Sequence, residues 1–131
     1  MSWVLLSIEF AIAVHDEQLR DHGGLSGIRD QGLLESALAR ALALIDCGKP
    51  SAFDISACYA HGIAKNHPFL DGNKRTAFVF AETFLELNGF ELFATDEQCF
   101  IAMLRLAAGD DDQDTFAEFL RVNSQRVEVD E

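Results

Sequence analysis

Apolar residues recur every three or four positions through nearly every segment of the chain, and no stretch alternates apolar with polar residues long enough to read as a strand. The pattern predicts an all-α fold. A first helix is expected from about Ser7 to Arg20, stopped by Gly23-Gly24, a pair that permits the left-handed backbone of a helix end. "GGLSGIRD" follows as a loop. Asp30 caps an expected second helix, "QGLLESALARALAL", whose Leu33, Leu34, Ala37, Leu38, Ala41 and Leu44 form an apolar stripe ending near Gly48-Lys49-Pro50. Asp54 is the expected cap of a third helix, "ISACYAHGIAKN". That helix must end before Pro68, because the residue preceding a proline avoids helical geometry.

From Lys74 to Leu87, "KRTAFVFAETFLEL" is apolar on nearly every side, which places this helix in the middle of a bundle. Asn88-Gly89 ends it. Thr95 with Gln98 and Thr115 with Glu118 read as capping boxes for two further helices, with "GDDDQD" a solvated acidic loop between them. The polar ending "RVEVDE" is expected to fray over residues 127–131.

A length of 131 residues suits one domain, 1–131, with a single core, and 49% hydrophobic residues with only two prolines exclude a disordered spacer. "MSWVLLSIEFAIAV" lacks a basic flank, and Glu9 interrupts it well short of the roughly 20 apolar residues a membrane span needs. It is expected to be a buried helix entrance, with no membrane association. A net charge of −12 repels nucleic acid, so DNA binding by the chain on its own is not expected. Cys47, Cys58 and Cys99 are odd in number and irregularly spaced, as free thiols of a cytoplasmic protein would be.

The chemistry concentrates in "HPFLDGNKRT", His67 to Thr76, just ahead of the helix expected at the centre. Gly72-Asn73 precede that helix, so the free N–H groups of its first turn and the positive end of its dipole point into the loop, where anions bind. Lys74 and Arg75 place two positive charges at a helix start, where the dipole disfavours each by about 0.3–1 kcal/mol. A bound phosphate reverses that sign. Arginine offers a planar fork and lysine a compact charge, a pairing suited to a polyphosphate. Asp71 supplies the single carboxylate that Mg²⁺ commonly takes beside phosphate oxygens, and His67 can accept a proton near neutral pH. An inert polar turn is the bland alternative for each residue singly. Cys58, His61, His67 and Asp71 offer a metal-only alternative, although their spacing matches no common zinc pattern. His15 and His22, near the end of the first helix, carry no assigned role.

"HPFLDGNKRT" resembles the signature of the Fic/Doc family, H-x-F-x-[D/E]-[A/G]-N-[G/K]-R, and "GGLSGIRDQGLLESALAR" resembles the N-terminal half of its Doc (death-on-curing) toxins. The resemblance implies an all-α Fic fold and transfer of part of ATP to a protein hydroxyl. It makes His67 the base, Asp71 the Mg²⁺ ligand, and Gly72, Asn73, Lys74 and Arg75 the phosphate cradle. Lys74 stands where adenylylating Fic enzymes have glycine, and Phe78 where many carry a second arginine; both departures are shared with Doc. There they accompany transfer of the γ-phosphate to a threonine of elongation factor Tu, which blocks translation. The loop His22 to Arg29 resembles the family's target-docking flap. Ser124 to Glu128 approaches the S/T-x-x-x-E-G/N motif of self-inhibited members, but Val129 fills its last position, so control is implied to fall to a separate, Phd-like antitoxin. An AMP transferase and a catalytically inactive binding module remain the alternatives.

Overall fold

Five of the six helices in the computed structural model, which describes residues 2–127, begin at a side chain that accepts a backbone N–H from the first turn. Ser7 caps α1 (Ile8–His22), Asp30 caps α2 (Gln31–Cys47) and Ser51 caps α3 (Ala52–Asn66). Thr95 caps α5 (Asp96–Ala108) and Asp112 caps α6 (Gln113–Val122). The exception is α4 (Asn73–Leu87), which starts at Gly72 with no side-chain cap. The fold is helical, as the periodicity implies.

Two expected caps lie one turn too far along. Asp54 is the third helical residue of a capping box whose cap is Ser51, and Thr115 bonds back to Asp112 in the same way. Glu118 pairs with Arg121 instead. The acidic loop is correspondingly shorter, because its Gln113 and Asp114 already belong to α6. The error has one cause: a polar residue three positions inside a helix looks like a cap when an earlier oxygen holds its N–H.

The innermost helix is α3, one element before the expected one. It buries Ala52, Ile55 to Ala60 and Gly62 to Ala64, and it packs against α2, α4, α5 and α6. Its small residues permit close approach; a Cβ on Gly62 would stand 2.9 Å from the Cβ of Ala37 on α2. On its other side Tyr59 meets Phe80 and Phe84 of α4, and the Ser56 hydroxyl donates to the Ala81 carbonyl at 2.8 Å. Helix α4 itself buries one stripe, from Thr76 through Leu85, while Phe78 and Val79 stay half-buried because they face a cavity rather than a neighbouring helix.

Ahead of α1 the chain is irregular, not helical. Trp3 and Leu6 pack on the core, Val4 and Leu5 are exposed, and the Asn88 side chain holds both main-chain polar groups of Val4 at 2.8 and 3.0 Å. A short antiparallel pair joins β1 (Phe90–Leu92) to β2 (Ser124–Arg126) with Phe90 opposite Arg126. Three residues are too few for alternation to register. Of the tail 127–131 only Val127 lies within the described residues, and its N–H donates to the Gly89 carbonyl at 2.8 Å. Glu128 and Val129 of the near-inhibitory motif lie outside them; Ser124 sits in β2. Among the described residues no helix is long and apolar enough to cross a membrane.

Candidate functional site

The turn from α3 into α4 starts with a left-handed residue. His67, at φ 49° and ψ 56°, is the one non-glycine with positive φ among the described residues. Its N–H closes α3 on the Ile63 carbonyl at 3.2 Å. Two of the carbonyls left over at this end are taken by Arg29, whose Nε donates to that of His67 at 2.6 Å and Nη2 to that of Asn66 at 2.7 Å.

The segment expected as a flap, residues 22–29, is joined to this turn by strand-like pairing. Ile28 forms an antiparallel bridge with Phe69, the N–H groups of Arg29 and Asp30 donate to the Pro68 carbonyl, and Leu70 N–H donates to Gly27. At its other end the Gly23 carbonyl accepts from Arg75 Nη2 at 3.2 Å, and Leu25 N–H donates to Asp71 Oδ2 at 3.3 Å. Gly24 is required there, at φ +124°, since a Cβ would stand 2.8 Å from that carboxylate oxygen.

Phe69 is buried and stacks on His15 of α1 at 3.8 Å between ring centroids. Asn73, buried at the start of α4, accepts from Phe69 N–H and donates to the Phe69 carbonyl, both at 3.0 Å. Those two bonds determine which amide atom is nitrogen, and that Nδ2 lies 3.4 Å from His67 Nδ1. The Asn73 side chain is thus spent inside the loop and only its N–H faces the cradle. With Gly72 in the left-handed region and no cap present, the first-turn N–H groups of α4 lack intrahelical partners, and exposed Lys74 and Arg75 flank them.

Asp71 is exposed. Its own neighbour Gly72 donates to Oδ1 at 2.9 Å, and this bond first, then that from Leu25, holds the carboxyl below the usual carboxylate range. The group is ionised at neutral pH and so could take a cation. Among the described residues no three His, Cys, Asp or Glu side chains gather to hold a metal by themselves. The residues fit a cation that arrives with phosphate oxygens, and they do not fit a protein-only metal centre. The metal-only alternative is not supported: Cys58, His61, His67 and Asp71 do not gather into a ligand cluster, and His61 contacts Arg40 at 3.1 Å.

His67, Asp71, Gly72, Asn73, Lys74 and Arg75 line one cavity of about 620 Å³. The same cavity is lined by Phe78 and Val79, one turn further along α4, by Cys99, Phe100, Met103 and Leu104 of α5, and by Gln18 and His22 of α1. The apolar wall escaped sequence reasoning. Its one signal was an apolar excess in "CFIAMLRLAA", which has more than a single buried face requires. His15 and Arg29 were missed as well, because both act through carbonyls distant in sequence.

The model of the Fic/DOC family matches residues 5–85. The chain is 38% identical over 93 residues to the protein named protein kinase doc of Escherichia phage P1, covering 70% of this chain and 74% of that protein. It is 43% identical over 74 residues to Toxin Doc of Mycolicibacterium smegmatis, covering 55% of this chain and 57% of the toxin. In fold it resembles the N-terminal Fic domain of a VirB-translocated Bep effector protein of Bartonella quintana, solved with bound ADP, at a TM-score of 0.51 and 19% identity. That likeness covers 75% of this chain but only 48% of the effector chain, so the present chain spans about half of it.

Proposed function

Because the chain belongs to the Fic/Doc family, we propose that it is a Doc-like toxin of a toxin-antitoxin module. In this reading it moves the γ-phosphate of ATP onto a protein hydroxyl, a threonine of elongation factor Tu, in the cytoplasm. The observation that carries the proposal is the start of α4: the one uncapped helix of the six opens toward Lys74, Arg75, Asp71 and His67 in a single cavity.

The γ-phosphate oxygens lie against the first-turn N–H groups of α4 and the two cations. Asp71 would hold Mg²⁺ together with phosphate oxygens, and the ion would supply charge neutralisation on the polyphosphate. The acceptor hydroxyl oxygen forms a bond to the γ-phosphorus, the bond from that phosphorus to the β–γ bridging oxygen breaks, and ADP leaves. The hydroxyl proton passes to the bare nitrogen of His67.

The apolar wall of Phe78, Val79, Phe100 and Met103 suits a nucleoside base, and the Bartonella domain solved with ADP supports nucleotide binding by this fold. Beside it Phe100, Ile101 and Leu104 are exposed at helical spacing on α5, a strip that a folding segment of the Phd-like antitoxin would cover. The edge of the flap, already half-paired to the motif turn, suits docking of an extended target segment.

Purified chain with Mg²⁺, γ-labelled ATP and elongation factor Tu tests the reading. Transfer of the γ-label, lost in His67→Ala, is expected. Transfer of an α-label would replace the kinase with an AMP transferase, and Lys74→Gly is expected to impair or redirect the kinase reaction. Undiminished toxicity of His67→Ala in cells would overturn both enzyme readings in favour of a binding module.

A further inference from the structure

His15 is buried on α1 to 2% exposure, on the same apolar face as Ala11 and Val14. Nothing in the packing of α1 itself calls for an imidazole there, and a polar ring at such a depth is costly unless it is bonded. Its bond runs 56 residues along the chain: Nε2 donates to the Asp71 carbonyl at 2.7 Å. The ring face lies on Phe69, nearly parallel at 7°. Its edge closes over Gly72, where a Cβ would stand 3.7 Å from Nε2 and Cδ2. One side chain therefore touches Phe69, Asp71 and Gly72.

The carbonyl bond has a geometric consequence. The peptide between Asp71 and Gly72 is planar and trans, so its C=O and N–H point in opposite directions. With the carbonyl drawn inward to His15, the Gly72 N–H must point outward, and it does, to Asp71 Oδ1 at 2.9 Å. The imidazole N–H thereby determines the peptide plane whose outward N–H holds the Asp71 carboxylate.

We infer that His15 is a positioning residue for group transfer at this site: through the Asp71 carbonyl it orients the Asp71–Gly72 peptide, and with it the carboxylate that the Gly72 N–H holds. A phenylalanine at this position would satisfy packing and the stack on Phe69. It would leave the Asp71 carbonyl without its donor and the peptide free to turn. The inference rests on the proposed transfer reaction for its kinetic readout and on the fold alone for its spectroscopic one.

Two variants of the full chain separate donor from stack. His15→Phe keeps the ring and removes the donor, whereas His15→Gln keeps an N–H at similar reach and removes the stack. In amide correlation spectra, His15→Phe is expected to remain folded with the Gly72 and Leu25 resonances displaced, and His15→Gln to return them toward their wild-type positions. In the transfer assay His15→Phe is expected to lower kcat by about 100-fold with little change in acceptor KM, and His15→Gln to recover most of that loss. An undisplaced Gly72 amide in folded His15→Phe overturns the inference whatever the assay shows. So does a wild-type kcat in that variant, or parallel losses of kcat and melting temperature in both variants, which would mark His15 as a packing residue only. If the wild-type chain transfers no label at all, the proposed function fails while the Gly72 resonance still decides the role of His15.

Discussion

Arg29 closes the end of α3 over His67, its Nε 2.6 Å from the His67 carbonyl and its Nη2 2.7 Å from that of Asn66. The bond holds in place a non-glycine residue with φ 49°, a conformation that costs about 1 kcal/mol or more. Glycine adopts it freely. His67→Gly is therefore expected to leave stability unchanged or raise it by about 0.5–1 kcal/mol in urea denaturation, while abolishing label transfer. A loss of stability above about 1 kcal/mol would show that the imidazole, not the backbone, secures the turn.

Asn73 makes two bonds to the main chain of buried Phe69, and alanine would leave both of those groups unsatisfied. Asn73→Ala is expected to lower the unfolding free energy by about 2–3 kcal/mol in addition to its effect on transfer. Asp in its place would turn a carboxylate oxygen toward the Phe69 carbonyl, so Asn73→Asp is expected to lose stability too at neutral pH. Full stability of the Asp variant would refute the clamp.

Glu82, partly buried on α4, has its carboxyl pushed above the usual value near 4.5, by burial first and then by Glu86 and Asp96. A raised folded value means that the protonated form suits the fold, so this group favours folding below about pH 4.5 and loses that contribution as pH rises through the folded value. At pH 7 its charge opposes folding. Glu82→Gln is expected to raise the melting temperature at pH 7 and to give no gain below the ordinary carboxylate value. A gain independent of pH would point to some other cause.

Gly62 marks the contact between α3 and α2, where an added Cβ would meet Ala37 Cβ at 2.9 Å and Ala37 Cα at 3.1 Å. Neither atom can move without moving a helix. Gly62→Ala is expected to cost about 1–3 kcal/mol despite the better helix propensity of alanine, and Ala37→Gly is expected to recover part of it in the double variant.

Much of this was legible in one dimension. The helices follow from apolar spacing, and their stops at Gly23, His67-Pro68 and Asn88-Gly89 follow from backbone chemistry that acts within a few residues. "HPFLDGNKRT" was legible for the same reason, since a Gly-Asn helix start followed by Lys74-Arg75 implies its own electrostatics. The short strands were not legible, because three residues carry no period. Nor was the identity of the central helix: α4 is richer in phenylalanine, but α3 carries the small side chains that let neighbouring helices crowd it from several sides.

The sequence by itself determined that a helix begins among His67, Asp71, Lys74 and Arg75 and proposed what local chemistry those residues could supply. Those properties depend on neighbours a few bonds away. Tertiary structure alone decided what steadies and walls that chemistry. His15 reaches Asp71 and Arg29 reaches His67 across long separations, and α5 brings Phe100 and Met103 into the cavity that Lys74 and Arg75 line. Such pairings depend on how helices cross, and crossing is set by summed packing around α3 that no short stretch of chain encodes.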